Sequence, residues 1–280
     1  MKLKTLALAG VATVAMAVPA SAGATTLIGS GSTAAQPYLL PLFKSYSKIH
    51  PSIHFVYTAD GGNAGVKDVQ QGKSQFAAQA RAPLPSDAGT TYIKLFLDGL
   101  CMDVNSANKL TNLSIQQVRD IYLGNLTSWA GVPGSGLSAT IDPFGRDTNG
   151  GTYNFFVSSI LNNKPPASTV TALLSDGLVA NSVAKDPNAI GYNGLAYFPR
   201  KGIKPLKLNG VPCNALAVKK LRYPLTRYIW LVLPTANSSR KVEQFADWVR
   251  TSVKAGQIIA KAGGVPAFND TAKKKHHKKK

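Results

Sequence analysis

The stretch TTLIGSGSTAAQPYLLPLFKSYSKIHPSIHFVYTADGGNAGVKDVQ, residues 25–70, decides the fold class. It opens with a short strand-like run, residues 25–28, and passes into the turn Gly29-Ser30-Gly31-Ser32-Thr33. Residues 36–48 follow with Tyr38, Leu39, Leu42, Phe43 and Tyr46 near helical spacing, and His50-Pro51 ends the pattern. Ile53–Tyr57 is rich in β-formers and runs into a second glycine-rich turn, Asp60–Gly65, with a helical pattern from Val66 to Gln71. Strand, glycine turn and helix thus occur twice in succession, which predicts an α/β fold with a largely parallel sheet.

The same punctuation returns far along the chain. Ile141-Asp142-Pro143-Phe144 leads into Arg146-Asp147-Thr148-Asn149-Gly150-Gly151-Thr152, and Tyr153–Leu161 reads as a helix with Phe155, Phe156 and Ile160 as core. A helix start has unpaired N–H groups and the positive end of the dipole. Glycines let an anion approach the backbone, hydroxyls add donors, and an arginine can grip an oxyanion through two parallel bonds. Two such turns, more than 100 residues apart, read as two jaws of one oxyanion cleft.

Between them, Phe76–Ala80 reads as a buried strand and Tyr92–Val104 as a long apolar run. Ser114 and Gln117 form a capping-box pattern, with Val118, Ile121 and Tyr122 on one face of the helix that follows. Trp129 is expected to be packed. Asn181–Ala184 is a helix candidate, Ala189–Tyr192 and Tyr228–Leu233 are strands, and Val242–Ile259 is an amphipathic helix presenting Phe245, Val249, Val253 and Ile258.

Lys2 and Lys4, the apolar stretch Leu6–Val18 and Ala20-Ser21-Ala22 have the three parts of a cleaved export signal, residues 1–22. No cysteine directly follows the apolar stretch, so a lipid anchor is not expected, and a periplasmic or secreted location is. The formal net charge is +19. Two of these charges are Lys2 and Lys4 and six are tail lysines, with no acid in either region, so the body carries +11. Such a field attracts anions and anionic surfaces without specifying nucleic acid, which is not expected as a partner. The tail, 271–280, is a Lys/His run expected to be disordered and suited to an anionic cell surface. Cys101 and Cys213 are the only cysteines; export permits a disulfide between them, and two buried thiols are the alternative. No nucleophile–base pair, zinc-ligand spacing or nucleotide-binding P-loop is present, so neither an enzyme nor a metal or cofactor is expected.

The ordered set Gly29–Thr33, Gly61–Lys67, Arg81-Ala82-Pro83-Leu84, VRDIYLGNLTSW at 118–129, Arg146–Thr152, Ala189–Tyr192 and Tyr223–Arg227 resembles the phosphate-binding receptors of ABC transporters, the PstS family. The match runs in order from about residue 25 to about residue 268, and residues 118–129 are its most specific piece. The resemblance implies a type II-like periplasmic-binding-protein fold, with two lobes of mostly parallel sheet flanked by helices and a ligand cleft between them. Residues 23–98 with 235–270 would form one lobe and 99–234 the other. It implies capture of phosphate or a related oxyanion for delivery to an ABC permease. The alternative is the same fold reused outside transport to bind anionic polymers or surfaces. Carried over by position, the ligand residues would be Ser32, Thr33, Gly62, Asn63, Arg81, Arg146, Gly150, Gly151 and Thr152. The family usually has serine where this chain has Gly62 and Gly150, and some members have an acid where it has Arg81. Asn63 and Arg81 could supply the missing donors, and Asp60 and Asp147 are the acids nearest in sequence to act as acceptor.

Overall fold

The computed structural model describes residues 23–266; the expected export signal and the Lys/His tail lie outside the described residues. The first half contains β1 (Thr25–Gly31), α1 (Gln36–Ile49), β2 (Ile53–Thr58), α2 (Gly62–Gln70) and β3 (Phe76–Gln79). The 16-residue β4 (Thr90–Asn105) leads into the second half. There follow β5 (Asn112–Leu113), α3 (Ile115–Tyr122), β6 (Asp142–Arg146), α4 (Gly151–Ile160), β7 (Thr171–Leu173), α5 (Asp176–Lys185) and β8 (Ala189–Gly194). The chain then forms β9 (Ile203–Pro205), β10 (Lys207–Leu208) and α6 (Ala215–Lys219), and returns through β11 (Thr226–Pro234) to α7 (Arg240–Thr251), α8 (Val253–Lys261) and β12 (Val265–Pro266).

One sheet path, β2-β1-β3-β11-β4-β8-β6-β7, passes through both halves. β1 runs parallel to β2 and β3, and β6 runs parallel to β7 and β8. This is the parallel character that the strand–turn–helix alternation predicts. The antiparallel exceptions join the halves. β11 is antiparallel to β3 and to β4 over residues 90–99, and β4 then pairs with β8 over residues 100–104. β4 therefore belongs to both halves.

Each half buries its own core. Leu39, Phe43, Phe76, Phe96, Leu231 and Phe245 centre the first; Met102, Val118, Tyr122, Trp129, Phe156 and Tyr192 centre the second. Each fully buried large apolar side chain contributes on the order of 1.5–3 kcal/mol, so each half holds a substantial core.

Three boundaries differ from the sequence reading. β11, expected with the middle of the chain, places Ile229, Leu231 and Leu233 in the first core. Its alternation of buried and half-buried residues fits either lobe, and pairing to β3 decides between them. The single helix expected over 242–259 is two. Ser252 is extended (φ −77°, ψ 130°), and its side chain accepts a bond from Ala255 N–H, capping α8. α2 begins at Gly62, four residues before the apolar pattern, because its first turn faces the other half rather than the core. The capping box holds: Ser114 Oγ accepts from Gln117 N–H at 3.0 Å, and Gln117 Oε1 accepts from Ser114 N–H at 2.8 Å. Cys101 and Cys213 are disulfide-bonded across 112 residues of sequence. Among the described residues, no helix is long and apolar enough to cross a membrane.

Candidate oxyanion site

The turn after β1 and the start of α4 face each other from the two halves. Thr33 from the first, and Arg146 and Thr152 from the second, converge on one carboxylate, that of Asp176 at the start of α5. Thr33 Oγ1 donates to Asp176 Oδ2 at 2.5 Å, Arg146 Nη1 donates to the same oxygen at 2.5 Å, and Thr152 Oγ1 donates to Asp176 Oδ1 at 3.3 Å. Arg146 Nη1 also donates to Thr33 Oγ1 at 2.6 Å, and so does Asp176 N–H at 3.2 Å. Asp176 is fully buried, and Thr33, Arg146 and Thr152 are at most 3% exposed. Charged hydrogen bonds are shorter and stronger than neutral ones, and the more so away from water.

Arg146 is fixed independently of that carboxylate. Its Nε donates to Leu173 O, and its Nη2 donates to Leu174 O and to Asp147 Oδ1 at 3.1 Å. Its backbone N–H donates to the Tyr192 hydroxyl at 2.8 Å. Burial works against the guanidinium charge, but Asp176 and Asp147 outweigh it and hold the pKa of Arg146 above its ordinary value.

A second pair supports the first from behind. Arg227 on β11 and Asp98 on β4 sit directly opposite each other, with Arg227 Nε and Nη2 donating to Asp98 Oδ2 at 3.0 and 2.9 Å. Asp98 Oδ1 accepts from the Tyr38 hydroxyl and from Leu195 N–H. The remaining arm, Arg227 Nη1, donates to Thr152 Oγ1 at 3.0 Å. A buried charge left without a partner is costly, and here both charges are satisfied and one aims Thr152.

Gly62 and Gly150, which stand where hydroxyls are expected, and Gly151 beside them have a steric reason. A Cβ on Gly62 would lie 2.2 Å from Gln79 Oε1, and one on Gly151 would lie 1.6 Å from it. The fully buried Gln79 side chain thus fills the space between the starts of α2 and α4. A Cβ on Gly150 would meet the Arg146 guanidinium at 2.9 Å. Neither α2 nor α4 has a side-chain cap, and the Asn63 N–H in the first turn of α2 donates to Asn149 O of the other half at 2.9 Å.

Asn63 and Arg81 form a separate cluster. Asn63 Oδ1 accepts from Gln79 Nε2 at 3.2 Å and Arg81 Nε at 2.8 Å, while its Nδ2 donates to Thr148 O and Asn154 Oδ1. All four bonds of the amide are used. Arg81 spends Nη1 and Nη2 on Asp87, at 2.6 and 3.0 Å. Burial raises the Asp87 pKa, but the bonds from Arg81, Tyr92 and Leu84 N–H outweigh it, and the carboxyl lies below its ordinary value. Asn63, Arg81 and Asp87 line a groove of about 300 Å³ together with Lys67 and Asn154. Ser32 stays within its own turn, its Oγ accepting from Ala35 N–H at 3.3 Å. The two candidate acceptors are engaged locally: Asp60 accepts from Gly31 N–H, and Asp147 accepts from Arg146.

Of the nine residues expected at the ligand, the structure joins Thr33, Arg146 and Thr152 side chain to side chain. Gly62 and Gly151 pack against Gln79 and Gly150 against Arg146, Asn63 and Arg81 line the separate groove, and Ser32 holds the first turn. Asp176, Gln79 and Asp98 were not foreseen, and Arg227 stood only within the Tyr223–Arg227 motif, without a role. Gln79 and Asp98 had one signal each, a polar residue inside an apolar strand.

A sequence profile described as "PBP superfamily domain" matches residues 17–252. The chain is 23% identical over 242 residues to "Phosphate-binding protein PstS" of Bacillus subtilis, covering 85% of this chain and 79% of that protein. It is 24% identical over 269 residues to "Protein SphX" of Synechococcus elongatus, covering 88% and 79%. A putative phosphate ABC transporter substrate-binding protein from Clostridium perfringens, solved with bound phosphate, superposes with a TM-score of 0.82 at 22% identity, covering 86% of this chain and 99% of that one. An ABC-type phosphate transport receptor from Vibrio cholerae gives 0.70 at 24% identity, covering 85% and 99%.

Proposed function

This chain belongs to the PBP superfamily, and on that premise we propose that it is an exported receptor that captures inorganic phosphate, or a related tetrahedral oxyanion, between its lobes and hands it to an ABC permease. One observation carries the reading: side chains from both halves, Thr33 on one side and Arg146 and Thr152 on the other, converge on one buried carboxylate, that of Asp176, as donors to an oxyanion. The relatives named for phosphate binding support the choice of anion. The receptor reading assigns the chain no chemical step of its own. Its place would be outside the cytoplasmic membrane, in keeping with the expected export signal.

Isothermal titration of the purified mature protein with phosphate tests this. The expected result is an affinity tighter than millimolar that changes little with added salt, since buried pairs are screened far less than surface ones. Arg146→Lys is expected to weaken binding about 10- to 100-fold, from ~1.5–3 kcal/mol for a hydrogen bond to a charged group. Deleting Lys273–Lys280 is expected to leave the affinity unchanged. A parent protein with no affinity better than millimolar at low salt would overturn the phosphate reading. Binding to anionic polymers that collapses with salt would favour the non-transport alternative.

A further inference from the structure

The side chains placed to hold an oxyanion already hold one that belongs to the chain. We propose that the Asp176 carboxylate is a built-in occupant of the oxyanion seat, and that an incoming anion must take Thr33, Arg146 and Thr152 from it; this exchange sets the affinity of the cleft. The inference rests on the receptor reading above, and it adds a competitor to it.

The geometry distinguishes an occupant from a plain structural partner. Asp176 takes one bond from Thr33, in the first half, and one each from Arg146 and Thr152, in the second. It thus spans the two jaws, as a ligand anion would. Arg146 and Thr152 have anchors other than Asp176, and Thr33 Oγ1 has Arg146 Nη1. Arg146 keeps Leu173 O, Leu174 O and Asp147 when Nη1 is released. Thr152 keeps its bond from Arg227, and Thr33 keeps Arg146 Nη1 donating to its hydroxyl and the Tyr197 hydroxyl donating to its backbone oxygen. The helix that carries Asp176 starts beside exposed residues. Asp176 is the first residue of α5, between the exposed Leu174 (68%) and Leu178 (44%). It precedes Gly177, where an added Cβ would find nothing closer than 3.8 Å. A carboxylate and an anion cannot share the three donors without a desolvated like-charge contact, which is strongly unfavourable.

The test compares the parent with Asp176→Asn and Asp176→Ala at one pH and ionic strength, with phosphate as the probe and circular dichroism as the check on folding. Both variants are expected to bind phosphate about tenfold or more tightly than the parent, because the like charge is gone. Asp176→Ala, which opens space in the seat, is expected to regain thermal stability with formate or acetate, and those carboxylates should compete with phosphate. Folded variants whose phosphate affinity equals or falls below that of the parent would overturn the proposal. If neither parent nor variants bind phosphate, the receptor reading fails, and the ligand-free proteins decide the occupancy. A larger radius of gyration by X-ray scattering in Asp176→Asn, with stabilisation of Asp176→Ala by formate, supports it; an unchanged radius and no stabilisation overturn it.

Discussion

Asp103 shows how the interior of this protein treats a charge it does not use at the cleft. It is fully buried on β4, faces Asn193 Nδ2 at 3.1 and 3.2 Å, and is pushed up to about 8, mainly by burial. Asn193 Oδ1 has no partner. A carboxyl raised in the folded state binds its proton more tightly there than in the unfolded chain. Its contribution is therefore fully present below about pH 4, the unfolded value, and is lost as pH rises through about 8. Urea unfolding is expected to show falling stability across that window, and Asp103→Asn is expected to flatten the fall while donating to Asn193 Oδ1. Residue types told part of this in advance. Thr33, Arg146 and Thr152 were legible because glycine turns before helices are recognisable in one dimension. Asp176 was not, because an acid at a helix start reads as a dipole partner, and its meeting with Thr33 across 143 residues is a property of the fold.

At the level of elements, alternation of strand and glycine turn revealed β1, β2, α4 and their order, whereas short pieces such as β7 and β9 carry too few residues for a periodic signal. The starts of α2 and α4 depend on one another through Gln79. Gly151→Ser is expected to destabilise the protein by ~1–3 kcal/mol through overpacking, because its Cβ would fall 1.6 Å from Gln79 Oε1. Gln79→Ala in the same chain should recover most of that loss. Thermal unfolding of the two single variants and the double variant measures the coupling; additive losses would show that the two helix starts are independent. The disulfide belongs to this scale as well. It ties β4 to the segment before α6 over 112 residues, and replacing both cysteines with alanine is expected to cost about 2–4 kcal/mol, read by denaturant midpoint.

Across the whole molecule, the two cores were legible and the line between them was not. The apolar runs of β4 and β11 predict burial, but no periodicity says that one strand serves two halves or that the return strand pairs with β3. The Arg227–Asp98 pair sits where β4 leaves β11 for β8, so the residue that aims Thr152 is also part of the connection between lobes.

That shared strand has a mechanical consequence. Halves joined by loose linkers can slide, swivel or part by any distance the linkers allow. Halves threaded on one continuous β4 cannot slide along it without breaking its ladder of backbone bonds. Relative movement that keeps this ladder has to bend or twist the strand, and the change of partner at Gly99–Leu100 is where the two pairings meet. Any travel of the jaws is therefore coupled to the shape of a sheet, as in a leaf spring, and not to the length of a linker.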